Sequence, residues 1–205
     1  FSTFSCPPFG AQCGVLISVA IPAFNEEKLL GETLAAVDAA GAAFRTRRWK
    51  MEVMVCDNNS TDRTAAIAEA AGARVVFEAE NQISRSRNAA GNAARGDWII
   101  FLDADSTPSE GLFAATSDLM EAESTLGGGA VIRMEVMPWW ARIGLGIWNL
   151  ISRIFRWPAG SYIFCRAEAF RELEGFSPKL YAAEEIEFDH RLKRLARQRQ
   201  QRIHI

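Results

Sequence analysis

Residues 98–106 read Trp98-Ile99-Ile100-Phe101-Leu102-Asp103-Ala104-Asp105-Ser106, five apolar positions followed by two acids with one small residue between them. A short run of β-branched and aromatic residues that stops at a polar turn has the length of a buried strand rather than of a helix. Two carboxylates in an i, i+2 relation, where the pleat gives way to a turn, can face one ligand. Hard oxygen donors of that kind suit a divalent cation that also bridges to phosphate. The tripeptide equally suits a plain turn before a helix, because Asp and Ser bond to nearby backbone and Pro108 favours a helix start. Alone, it leaves both readings open.

Upstream of this stretch the sequence repeats one rhythm. Residues 15–21, 52–56 and 73–77 have strand character, and 26–40, 61–71 and 83–94 have helical period, with Leu30, Leu34 and Val37 on one face of the first helix. The resulting βαβαβαβ order predicts an α/β fold, a mostly parallel sheet with helices on both faces. Ligands in such sheets bind beyond the carboxyl ends of the strands. There this chain is polar: Pro22-Ala23-Phe24-Asn25-Glu26-Glu27 follows the first strand, Asp57-Asn58-Asn59-Ser60-Thr61-Asp62 the second, and Asp103-Ala104-Asp105-Ser106 the fourth. Downstream we expect a helix over 109–123, a break at Gly127-Gly128-Gly129, a strand over 130–135 and a Trp-rich helix over 139–155. A strand over 161–165, a short helix over 167–172 and an acid-first, base-last helix from Glu184 towards Arg202 follow.

Three of these elements carry further chemistry. Ser60 or Thr61 can cap the second helix, which leaves Asp57 and Asn58 to bond a base or ribose. Arg85, Arg87 and Asn88 lie near the start of a helix, where cations oppose the dipole and call for an anionic or polar partner. The run Glu184-Glu185-Ile186-Glu187-Phe188-Asp189 pairs well with a helix dipole, and is also a place for a carboxylate that acts as general base.

Composition narrows the rest. The chain has 205 residues, 49% of them hydrophobic and 23% charged, with a formal charge of -2; that is a globular protein without the basic field a nucleic acid partner needs. Cys6, Cys13, Cys56 and Cys165 match no zinc spacing, and are expected to be reduced and structural. Residues 1–14 have no basic n-region and are broken by Pro7, Pro8 and Gly10, so a disordered leader is expected rather than a signal peptide. Residues 15–205 are expected to form one domain that continues beyond Ile205. No run approaches the ~18 apolar residues of a membrane span. Residues 138–157, with Trp139, Trp140, Trp148 and Trp157 beside Arg142, Arg153 and Arg156, suit either packing over the sheet or a membrane interface. The expected location is cytoplasmic, with peripheral contact through that segment.

Taken together these motifs resemble the inverting family 2 glycosyltransferases of the GT-A fold, over residues 17–194. Residues 17–27 are similar to the family's first strand and Pro-x-aromatic-Asn-Glu turn, and Asp57 to Asp62 to its nucleotide loop. Ser86-Arg87-Asn88-Ala89 is similar to its Ala-Arg-Asn element, Asp103-Ala104-Asp105 to its metal motif, residues 160–166 with Gly175-Phe176 to its acceptor segment, and Glu184-Glu185 to its Glu-Asp pair.

The resemblance implies a metal-dependent transfer of sugar from a nucleoside diphosphate donor to a saccharide or lipid-linked acceptor. It implies Mn²⁺ or Mg²⁺ on Asp105 with Asp103, and donor binding by Pro22, Phe24, Glu26, Asp57, Asn58, Arg87, Asn88, Asp103 and Ala104. The base is Glu185, or Glu184, since Glu185 stands where Asp is usual. Two rivals are a haloacid-dehalogenase-type phosphatase, whose Asp-x-Asp-x-Thr loop Asp103 to Thr107 also fits but which places that loop after its first strand, and an inactive glycosyltransferase-like binding module.

Overall fold

The computed structural model describes residues 14–130 and 161–205. Among the described residues, seven strands form one sheet in the order β3-β2-β1-β4-β6-β5-β7. They are β1 (Leu16–Ala23), β2 (Lys50–Asp57), β3 (Arg74–Phe77), β4 (Trp98–Leu102), β5 (Thr125–Gly129), β6 (Tyr162–Arg166) and β7 (Arg202–His204). β1 pairs in parallel with β2 and β4, β2 with β3, and β5 with β7; β6 runs antiparallel between β4 and β5. The expected α/β architecture with a mostly parallel sheet is therefore what the chain adopts.

Strand alternation builds two cores. Ile17, Val19 and Ile21 of β1, with Trp98, Ile100 and Leu102 of β4, pack on one face under α1 (Leu30–Ala40), α2 (Ala42–Thr46), α3 (Thr64–Ala70) and α5 (Glu110–Glu121). Ala20, Met54, Cys56, Ile99 and Phe101 point to the other face. There they meet α4 (Ile83–Ala93), α6 (Ala167–Glu172) and α7 (Glu184–Gln198). Period-2 strands buried on both sides read as unbroken apolar runs, which is why β4 is legible in the sequence. Phe101, Phe170, Phe176 and Phe188 form a ring cluster beneath α6 and α7, with Phe101 edge-on to Phe176 at 5.0 Å.

Several boundaries differ from expectation for physical reasons. The first helix begins at Leu30 and not near 26; a turn precedes it in which Leu30 N–H donates to Glu26 O at 2.9 Å, while the Glu26 and Glu27 N–H groups donate to Thr64 Oγ1 and Asp62 Oδ2 of the neighbouring loop. The helix expected over 61–71 is α3 and begins at Thr64, whose N–H donates to Asp62 Oδ1 at 2.9 Å; Arg63 holds the N-cap position, so neither Ser60 nor Thr61 caps it. The last helix ends at Gln198, and Arg202–His204 returns as an edge strand.

Gly127-Gly128-Gly129 is not a break but the end of β5. A Cβ on Gly128 would lie 2.3 Å from the His204 carbonyl oxygen and 2.7 Å from the Phe164 ring, so these glycines permit close approach of backbone and ring. Gly128→Ala is expected to destabilise the fold by about 1–3 kcal/mol through overpacking, with urea unfolding as the measure. Cys56 and Cys165 are buried free thiols, and burial pushes the Cys165 thiol up to about 12. Such a thiol stays protonated and unreactive.

Candidate active site

The chain runs β1, β2, β3 in one direction across the sheet and then returns to place β4 on the opposite side of β1. That reversal is a topological switch point, and the strand ends beside it open a crevice. A cavity of about 470 Å³ lies there, lined by Pro22, Phe24, Glu26, Asn58, Asp103, Ala104 and Asp105 among the residues the motifs singled out, and also by Asn81, Gln82, Ile83 and Ser86. Asp57, Arg87 and Asn88 are not part of its lining. Phe24 and Ile83 are exposed apolar side chains of the lining, an arrangement suited to a flat ring.

Two of the polar loops lock each other. Asn25 N–H donates to Ser60 Oγ at 3.0 Å, and Thr61 N–H donates to Asn25 Oδ1 at 2.8 Å. Asn25 and Asn59 take positive φ, 56° and 62°, which Asn tolerates better than most residues. Burial alone would raise the Asp62 carboxyl, but hydrogen bonds from Thr64 outweigh it and hold the group below its ordinary value. Much of the Asn25 to Thr64 polarity thus ties the loop after β1 to the loop after β2.

Asn58 was expected to have a side chain free for base or ribose, and the structure corrects this. Its Nδ2 donates to the carbonyls of Glu78 and Glu80 at 3.2 and 2.6 Å, and its Oδ1 accepts from Gln82 N–H at 3.0 Å. A buried amide with three such partners tethers the loop after β3. Asn88 is engaged likewise: Nδ2 donates to Phe176 O and Oδ1 accepts from Phe176 N–H, both at 2.8 Å.

Arg87 does find its anionic partners, inside the protein. Its guanidinium donates to Asp103 Oδ1 at 3.0 Å and to Glu184 Oε1 at 2.9 Å, and stacks over Phe176 with 5.4 Å to the ring centroid. Arg87 and Glu184 are buried, Glu185 is half-buried and Asp105 is exposed. Burial, partly offset by Arg87 and reinforced by Asp105 and Glu185, raises the Asp103 carboxyl. Burial, with the neighbouring Glu185, raises Glu184 as well. The fold therefore brings the Asp103 to Asp105 turn and the Glu184-Glu185 pair to one place, with Arg87 between them. Thr33 Oγ1 donates to Ala104 O at 2.7 Å and pins the turn from α1; an isolated Thr in a helix gives no hint of this in the sequence.

Among the described residues no group of three or more His, Cys, Asp or Glu side chains forms a metal cage on its own. The donor set still fits a hard cation that takes its other ligands from phosphate. Glu26 at the cavity is raised by burial and then by Asp105, Asp62 and Asp103, the signature of carboxylates crowded into one negative field. Mg²⁺-like ions are held in this way, by one or two carboxylates plus substrate oxygens.

The glycosyl transferase family 2 model matches residues 18–174. An uncharacterized glycosyltransferase of Mycobacterium tuberculosis is 33% identical over 152 residues, 69% of this chain and 62% of that protein. The chain thus spans about three fifths of that relative's length. An undecaprenyl-phosphate 4-deoxy-4-formamido-L-arabinose transferase of Edwardsiella ictaluri is 37% identical over 100 residues, 43% of this chain and 29% of that one. Among solved structures, a mannosyltransferase from Pyrobaculum calidifontis in complex with GDP-Man and Mn²⁺ superposes with a TM-score of 0.73 at 19% identity, over 93% of this chain and 54% of that one. No helix among the described residues is long and apolar enough to cross a membrane. Residues 138–157, where a membrane contact was expected, and most of the expected leader lie outside the described residues.

Proposed function

The chain belongs to glycosyl transferase family 2, and from that premise we propose that it moves a sugar from a nucleoside diphosphate sugar to an acceptor hydroxyl by direct displacement with inversion. The observation that carries this is that the Asp103 to Asp105 turn lines a donor-sized cavity at the switch point of the sheet, while Arg87 ties Asp103 to Glu184, next to half-buried Glu185. A GT-A relative of the same fold is described with GDP-Man and Mn²⁺, and the carboxylates here suit that class of ligand.

In this reading Phe24 and Ile83 flank the nucleobase, Asp105 with Asp103 would hold Mn²⁺ or Mg²⁺, and Glu185 accepts the proton of the attacking hydroxyl. When bound, the cation supplies Lewis-acid stabilisation of the departing diphosphate. Arg87 keeps Asp103 oriented, and the strand-end turn fixes Asp105 beside it. Holding donor and acceptor in line contributes the entropic part of the acceleration. The acceptor is a saccharide or a lipid-linked molecule; the undecaprenyl-phosphate relative supports the second, and peripheral membrane contact would go with it.

A thermal-shift panel of nucleotide sugars with and without Mn²⁺ tests the reading. A donor at a hundredfold its Kd stabilises by about 2.7 kcal/mol. We expect one nucleotide class to do so only with Mn²⁺ present, and Asp105→Ala to lose that metal-dependent part while unfolding at the temperature of the unliganded wild type. No stabilisation by any donor, or an undiminished Mn²⁺ effect in Asp105→Ala, would overturn it.

A further inference from the structure

The segment that leads into Glu184 has little regular structure of its own. Between α6 and α7 it runs through residues 173–183, and Leu180 N–H to Ser177 O, at 3.4 Å, is a long internal backbone bond. Side chains from elsewhere hold it. Arg191 donates to the carbonyls of Leu173 and Gly175, and Asn88 clamps both backbone groups of Phe176. Further on, Gln82 Nε2 donates to Pro178 O at 2.8 Å and to Leu180 O at 2.9 Å.

Gln82 occupies the N-cap position of α4, yet its side chain does not cap that helix. Both of its amide hydrogens go across to the loop, 96 and 98 residues away in sequence. Its backbone is itself fixed, with N–H donating to Asn58 Oδ1 and to Glu80 O. Both Gln82 and Asn58 border the cavity. A continuous chain of bonds therefore leads from the cavity wall through Gln82 to the loop, and the loop ends at Ala183.

Ala183 takes φ 61°, in the left-handed region, immediately before Glu184. An L-residue with a Cβ holds that conformation only where the surroundings over-determine it. The anchors on its two sides are Gln82, on Pro178 and Leu180, and Arg87, on Glu184. We propose that Gln82 is a positioning residue for sugar transfer: it fixes the loop that presents Glu185 to the wall of the donor cavity, so that donor occupancy and placement of the base are coupled. The proposal rests on the reading of Glu185 as base.

Gln82→Met keeps the bulk and removes both donors, and Gln82→Glu places a carboxylate against two carbonyls. Hydrogen exchange on the whole chain, alone and with UDP or GDP plus Mn²⁺, is the first measurement. Losing both bonds, at about 1 kcal/mol each, should speed exchange of residues 177–183 by up to about thirtyfold, without a comparable change in the strands. Nucleotide should protect these amides in the wild type and not in Gln82→Met. With a donor that is turned over, kcat should fall about 10- to 100-fold, the cost of a displaced catalytic group, with donor KM within threefold; Gln82→Glu should be worse. Unchanged loop exchange, absence of nucleotide protection in the wild type, or a loosened loop with undiminished kcat would each overturn the proposal. A wild type inert towards every donor would remove the functional reading instead, and the exchange data would still decide the coupling.

Discussion

Glu185→Gln is expected to lower sugar transfer by about 10²- to 10⁴-fold, the usual contribution of a positioned general base, while nucleotide binding stays close to that of the wild type. The amide keeps the size and hydrogen-bonding reach of the side chain and cannot accept the proton. The two adjacent glutamates differ in what surrounds them. Glu184 is buried, 3% exposed, with Oε1 committed to Arg87 at 2.9 Å. Glu185 is half-buried and close enough to Asp103 to raise that carboxyl by repulsion. A base has to reach solvent-borne acceptor, and a side chain locked into a buried ion pair cannot do so without breaking it. Glu184→Gln should therefore lose stability first and turnover less. The measurements are kcat, donor Kd by titration, and urea unfolding of both variants. If Glu184→Gln is the inactive variant at normal stability and Glu185→Gln transfers sugar normally, the roles are reversed.

What the sequence makes legible follows from how local each cause is. β4 and the Asp103 to Asp105 turn stand out because a doubly buried strand is apolar at consecutive positions and its polar stop is abrupt. The grouping of the β1, β2 and β4 loops follows from the alternation of elements, since the switch-point rule needs only their order. Long-range destinations are not written locally. Asn58 has the composition of a ligand-binding amide, yet its partners are the carbonyls of Glu78 and Glu80 and the amide of Gln82. Gly127 to Gly129 has the composition of a turn, and only the approach of Phe164 and His204 explains it as a strand. Gln82 carries no motif, because its significance lies in Pro178 and Leu180, far away along the chain. Arg87 is intermediate: a cation near a helix start asks for an anion, but the anions proved to be Asp103 and Glu184 rather than a phosphate.

Arg87→Met is expected to cost about 3–5 kcal/mol of stability, the range for breaking a buried ion pair from one side. Methionine fills similar volume and can still lie against Phe176, so the loss is chiefly electrostatic. Without the guanidinium, Asp103 and Glu184 retain the burial that already raises both carboxyls and lose the cation that opposes it. Both groups then rise further above their unfolded-state values. A raised folded-state value means that the protein gains from holding the proton, so stability is retained below the ordinary carboxylate range and lost as pH rises through the folded-state value. The deficit of Arg87→Met relative to wild type should accordingly be greatest near neutrality and shrink as pH is lowered towards the ordinary carboxylate range. Arg87→Lys should recover only part, since one ammonium cannot span Asp103 and Glu184 as the planar fork does at 3.0 and 2.9 Å. The double variant Arg87→Met with Glu184→Gln removes one stranded carboxylate and should be more stable at neutral pH than Arg87→Met alone. Urea unfolding across pH checks all three expectations. A deficit below about 1 kcal/mol, in the range of an exposed ion pair, or one that grows as pH falls, would show that Arg87 does not hold these two carboxylates together.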